Sequence, residues 1–209
     1  MPRRPKKSQL IILYFGARKD DDELFSKADF HDQLTAKNVV CIRVEKPAEA
    51  KAPAASILPA PRLEAADLWA AYGVTEEDTF IVADKFGNPF FTGKDACLSE
   101  KLREVAGHFR AQRKALRKQV AVAQKAFDDG DTAKAVKTLK EGLALGLTGY
   151  DEAVSAAELY NKLIEKGREQ LKAADKDVKQ LKNLKKAYEG TDLAGEIDSA
   201  LESAGKTSN

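Results

Sequence analysis

Residues 10–22 read LIILYFGARKDDD: six consecutive apolar residues, a glycine, and then a loop of charged residues. An unbroken β-type run such as Leu10 to Tyr14 predicts a strand covered on both faces, because a half-exposed strand would alternate with polar residues. The loop that follows offers Ala17, Arg18, Lys19, Asp20 and Asp21, with no thiol and no nucleophile activated by a neighbour. Outward from this strand, residues 22–37 carry Leu24, Phe25, Ala28, Phe30 and Leu34 at helical spacing, with Asp20 to Asp22 near the start, where acids complement the helix dipole. The next β-rich segment is VVCIRV at 39–44. Strand, helix and strand make a βαβ unit with a right-handed crossover.

The stretch 46–62, KPAEAKAPAASILPAPR, holds four of the seven prolines and is read as a loop. A short helix is expected over 65–72, ending at Gly73, a residue that adopts the left-handed conformation favoured after a helix. Strands are expected over 79–83 and 89–92, joined by the turn Asp84-Lys85-Phe86-Gly87-Asn88, and a further helix begins near Leu98.

The segments LIILYFGARKDDDELF (10–25), NVVCIRVEKP (38–47) and LWAAYGVTEEDTFIVADKFGNPFF (68–91) together resemble the thioredoxin-like superfamily over about 90 residues. The more specific part is AAYGV followed by a TFIV strand and a D-x-x-G-x turn. The resemblance implies a CxxC in the loop after the first strand and a cis-proline just before Thr79; this chain has Ala17 to Asp21 and Asp78 at those places. With neither thiol nor proline, disulfide exchange is expected to be lost. A cis bond before a non-proline residue costs about 2.5–4 kcal/mol, so a trans peptide and a reshaped loop are expected at Asp78.

After Val105 the pattern is wholly helical. Residues 98–127 form one long helix or two bent near Gly107, with Leu102, Val105, Phe109, Leu116, Val120 and Ala123 on the apolar face. Asp128-Asp129-Gly130-Asp131 breaks it, and helices follow over 132–145, 150–173, 175–188 and 192–201. The passage AFDDGDTAKAVKTLKEGLAL (126–145) resembles the helix-turn-helix of a tetratricopeptide repeat, with Gly130, Ala135, Leu139, Gly142 and Leu143 at its turn and small or apolar positions. It covers little more than one repeat, whereas a solenoid needs about three. The expected architecture is therefore α/β plus all-α: a flexible basic tail at 1–8, a thioredoxin-like domain at 9–106, a C-terminal helical bundle at 107–204 and a flexible tail at 205–209.

Composition narrows the function classes. Thirty-five basic against thirty-three acidic residues, a net charge of +2, give no global field toward nucleic acid or an anionic membrane. No stretch approaches the roughly 20 apolar residues of a membrane span. The apolar run after the basic tail is too short for a signal peptide. Two cysteines and two histidines form no zinc-type spacing, and a reduced, cytoplasmic setting with no cofactor and no metal is the simplest expectation. Cys41 reads as a core residue of its strand, and Cys97, just before a helix start, is a candidate reactive thiol. The run Asp20 to Glu23 lacks the ligand spacing of a calcium loop. His31 and His108 lie in no motif.

Between Val105 and Phe127 stand Arg110, Arg113, Lys114, Arg117, Lys118 and Lys125 with no acid. Such a face either solvates a helix or binds an acidic partner. Missing chemistry and an interaction-type appendage together suggest a redox-inactive adaptor or chaperone-like module for a protein partner. Its candidate partner-binding residues are Arg18, Lys19, Asp20, Asp21, Thr75, Glu76, Glu77, Asp78, Arg110, Arg113, Lys114, Arg117 and Lys118. The alternatives are a glutathione-transferase-like enzyme, for which Tyr14 lies near the appropriate strand end, and a nucleic-acid-associated protein using the basic helix, a partner class disfavoured by the absence of interleaved aromatics.

Overall fold

The computed structural model describes residues 10–16, 39–48, 57–94, 98–175 and 177–206. The loop Arg18, Lys19, Asp20 and Asp21, the helix expected over 22–37, Cys97 and the tail at 1–8 lie outside the described residues. The chain divides into two compact units, one carrying the sheet and reaching Ala111, the other comprising the helices from Gln112 onward together with residues 57–59.

The first unit is built on a mixed four-stranded sheet of β1 (Leu10–Phe15), β2 (Val39–Val44), β3 (Thr79–Asp84) and β4 (Pro89–Gly93), in the order β2-β1-β3-β4. β1 runs parallel to β2 and antiparallel to β3, and β3 and β4 form an antiparallel hairpin. All six residues of β1 are buried, as its apolar run requires. Ile11, Leu13, Phe15, Val44 and Ile81 share a core with Trp69 and Val74. Phe15 meets the Trp69 ring edge-on at 5.4 Å, and the indole nitrogen donates to the Glu45 carbonyl at 3.1 Å.

β2 departs from expectation. It lies at the edge of the sheet, only Val44 joins the core, and Cys41 is exposed rather than buried. Val40 and Ile42 are 37% and 38% exposed. The helix expected over 65–72 is shorter, α1 (Leu68–Tyr72), because the Asp67 side chain accepts from Ala70 N–H and sets its start; a single 3-10 turn, Arg62–Glu64, precedes it. In the hairpin turn Gly87 has φ 78°, and a Cβ there would stand 2.6 Å from Leu63 Cγ. Glycine satisfies both the conformation and the close approach. A register shift between Val82 and Ala83 skips Phe90, whose ring meets His108 at 4.8 Å.

One unbroken helix, α2 (Leu98–Asp128), carries the chain from the first unit into the second. The second unit continues with α3 (Thr132–Leu143), α4 (Asp151–Ala174), α5 (Val178–Ala187) and α6 (Ala194–Lys206). Asp131 caps α3 and Asp177 caps α5 through their carboxylates. Ala135, Val136, Leu139 and Leu143 are buried along α3, as their spacing predicts. Gly142 lets α3 approach α2, since a Cβ would lie 3.1 Å from Leu116 Cδ1. Tyr188, fully buried, donates to the Leu163 carbonyl of α4 at 3.0 Å. Among the described residues no helix is long and apolar enough to cross a membrane.

Candidate functional site

Two places gather the residues that the sequence singles out, one in each unit. The first is the end of the sheet where β1 stops and β3 begins. Pairing of Phe15 with Thr79 puts Gly16 and Asp78 at the same end. The peptide bonds here are trans, and Asp78 takes φ 57°, a left-handed conformation that Asp tolerates better than most side chains. Its carboxylate accepts a hydrogen bond of 2.7 Å from the Tyr14 hydroxyl. Tyr14 is buried and packs on Phe80 at 4.7 Å. Thr79 Oγ1 donates to the Glu76 carbonyl at 2.8 Å. Lys94 donates to the Glu77 carbonyl at 2.7 Å and pairs with the Glu76 carboxylate at 3.7 Å. Thr75, Glu76 and Glu77 are exposed, so the loop presents carboxylates to solvent above a polar cluster bonded to itself.

The second place is a groove of about 530 Å³ between α2 and α4, within the range of about 300–1,000 Å³ typical of ligand clefts. Arg117, Val120, Ala121 and Gln124 form one wall, and Asp151, Glu152, Ser155, Glu158, Leu159 and Lys162 the other. The two helices run in the same direction. Arg113, midway along α2, bonds to Glu152 at the start of α4, the Lys166 ammonium further along α4 sits 4.6 Å from the centre of the Phe127 ring near the end of α2, and both pairs have the same separation in sequence.

At the head of the groove Glu152 is 6% exposed. Arg113 reaches its two carboxylate oxygens at 3.1 and 3.2 Å, and Arg117 donates a further short hydrogen bond. Arg113 also stacks over Tyr150 at 4.5 Å. These charge-assisted bonds, from Arg113 first and Arg117 next, hold the Glu152 carboxyl at about 2 against the opposing effect of burial. The Arg113 guanidinium is correspondingly pushed up, chiefly by its hydrogen bond to Glu152.

The basic run thus divides. Arg113 and Arg117 are held by an internal carboxylate, while Arg110, Lys114, Lys118 and Lys125 are exposed and make no ion pair among the described residues. Arg110 belongs to the first unit's part of α2 and the others to the second. The sequence singles out neither Glu152 nor the α4 wall. Glu152 stands 39 and 35 positions from its partners, and the only local signal is the acid-free stretch between Val105 and Phe127, which needs a countercharge. Among the described residues no cluster of His, Cys, Asp and Glu is arranged to hold a metal ion. Comparison with protein-family models, with curated proteins and with solved structures gives no match.

Proposed function

We propose that this chain is a non-catalytic, redox-inactive thioredoxin-like protein that acts as an adaptor or chaperone-like module, its helical unit receiving a segment of a protein partner. The observation that carries the reading is the groove between α2 and α4: it is open, floored by Val120, Ala121 and Leu159, and rimmed by exposed charge. The strand order β2-β1-β3-β4, with β1 and β2 parallel and β3 and β4 a hairpin, supports the thioredoxin-like part. The close approach at Gly142 supports the tetratricopeptide-like character of the α2–α3 turn. Tyr14 donates its hydroxyl to Asp78, an arrangement that speaks for packing rather than for thiol activation in a glutathione-transferase-like enzyme.

Affinity capture from the native source, with the partner identified by mass spectrometry, tests the reading. The wild-type chain is expected to retain a specific protein, and Ala121→Trp or Ser155→Trp, which place a large ring in the groove, to release it with the helical circular dichroism unchanged. Retention unaffected by either ring would remove the groove from the function. Catalysed reduction of insulin disulfides by the wild-type chain would overturn the redox-inactive part.

A further inference from the structure

The groove between α2 and α4 has a basic lip on α2 and, on α4, a lip that is acidic at Asp151 and Glu158 and ends in Lys162. We propose that its occupant is an amphipathic helix of a partner protein whose apolar seam is flanked by carboxylates on one side and by cations on the other. This rests on the adaptor reading and deepens it by giving the chemistry of the partner.

At 100° per residue, Lys114, Arg117, Lys118 and Lys125 fall within an arc of about 100° on α2, beside the groove wall. All four are exposed; Arg117 keeps its side chain 74% exposed while it holds Glu152. The same stretch of α2 carries no acid. Across the groove the α4 lip presents Asp151, Ser155 and Glu158, all exposed, with Lys162 at the far end. Between the lips Val120, Ala121 and Leu159 offer apolar surface.

An occupant must satisfy all three features. Carboxylates facing α2 are attracted, while carboxylates facing Asp151 and Glu158 are repelled; like charges held opposite each other across an interface carry a large penalty. A nucleic acid brings phosphates to both lips, leaves the apolar floor unused and finds no aromatic in the groove on which to stack a base. A helix meets the floor with residues at three- and four-residue spacing and can carry opposite charges on its two flanks. The sign pattern also fixes direction, because turning such a helix end for end puts each flank against the lip of its own sign.

The test uses the full chain and three synthetic helices of equal length with one leucine seam: glutamate on one flank and lysine on the other, glutamate on both, or lysine on both. Fluorescence anisotropy at physiological salt is expected to show the mixed helix binding about tenfold or more tighter than either uniform one. In K114E/K118E, which leaves the lip with Arg117 and Lys125 against two carboxylates and so without net charge, the advantage of the mixed helix over the lysine-only helix should be lost. In D151K/E158K preference should pass to the glutamate-only helix. Equal binding of all three, binding of none, or tightest binding of the glutamate-only helix or of oligothymidylate by the wild-type chain would overturn the proposal. The two readings fail differently. If the native partner survives Ala121→Trp, the adaptor groove itself is wrong; if it is lost there but survives K114E/K118E and D151K/E158K, only the charge pattern is.

Discussion

The sheet end and the α2–α4 groove both collect polar side chains, and they use them in opposite ways. At the sheet end Tyr14 bonds to Asp78, Thr79 to the Glu76 carbonyl, and Lys94 to the Glu77 carbonyl and the Glu76 carboxylate. In the groove the closure stops at Arg113, Glu152 and Arg117, while Lys114, Lys118, Asp151 and Glu158 stay exposed. The lesson is that a run of charge does not by itself measure binding capacity. Where the countercharge sits decides which members of the run hold the fold and which can meet a partner.

The largest effect should separate the two kinds of cation on α2. R113E/R117E surrounds the buried Glu152 carboxylate with like charge, and breaking a buried pair costs about 3–5 kcal/mol. Urea unfolding followed by helical circular dichroism should show a loss at least at the lower end of that range. K114E/K118E should stay within about 0.5 kcal/mol per site, as exposed substitutions do. If both double variants unfold at the same urea concentration as the wild type, the division of the basic run is wrong. From the sequence alone the arginine pair reads as a surface whose reversal leaves folding intact; its carboxylate partner changes that expectation.

A groove is only as rigid as its walls, and α4 is held from behind at Gly167, where a Cβ would stand 2.4 Å from Leu193 Cδ2 and 2.7 Å from Tyr188 Cζ. Gly167→Val should destabilise the second unit by about 2 kcal/mol through overpacking against these buried groups. A thermal melt at or above the wild-type value would show that the helix propensity gained outweighs the clash.

Acid should sharpen the comparison next. The Glu152 carboxyl is depressed from 4.5 to about 2 in the folded chain. A group whose folded value is depressed stabilises fully above its unfolded value and loses that contribution as pH falls toward the folded one. The loss therefore falls between pH 4.5 and 2. With the arginine partners half-exposed or exposed, it should amount to on the order of 1–2 kcal/mol. Comparing urea midpoints of wild type and Glu152→Gln across this window should show their difference shrinking as pH falls. A constant difference would place the arginine grip outside the stability of the unit.

Local features were legible in the sequence and pairings across the fold were not. The buried run of β1, the turn glycine Gly87, the helix stop at Gly73 and the apolar face of α3 follow from short-range steric and periodic rules, and each stands where those rules place it. β1 and β2 show the limit. Both are six-residue strands, apolar throughout in β1 and at all but Arg43 in β2, yet one is wholly buried and the other mostly exposed, because β2 lies at the edge of the sheet and β1 within it. Cys41 has the composition of a core position but sits on the edge strand, and is exposed. Nothing within a turn of Glu152 signals two arginines on another helix, and the left-handed backbone at Asp78 has no local signature beyond the tolerance of Asp for it.

The smallest effect belongs to the sheet end. Tyr14→Phe keeps the ring against Phe80 and removes the hydroxyl that donates to Asp78, while water can reach that half-buried carboxylate in its place. The cost should be about 1 kcal/mol, the net value of a typical hydrogen bond. Asp78→Asn should cost less, because the amide oxygen still accepts from Tyr14 and Asn also tolerates the left-handed backbone. Asp78→Ala should cost more than either, since it leaves a buried phenol without this acceptor and puts a β-carbon with no polar compensation at φ 57°. Chemical denaturation of the three variants checks the order. If Asp78→Ala proved as stable as wild type, the Tyr14 bond would be incidental and the polar cluster at the sheet end would be as open to a partner as the groove.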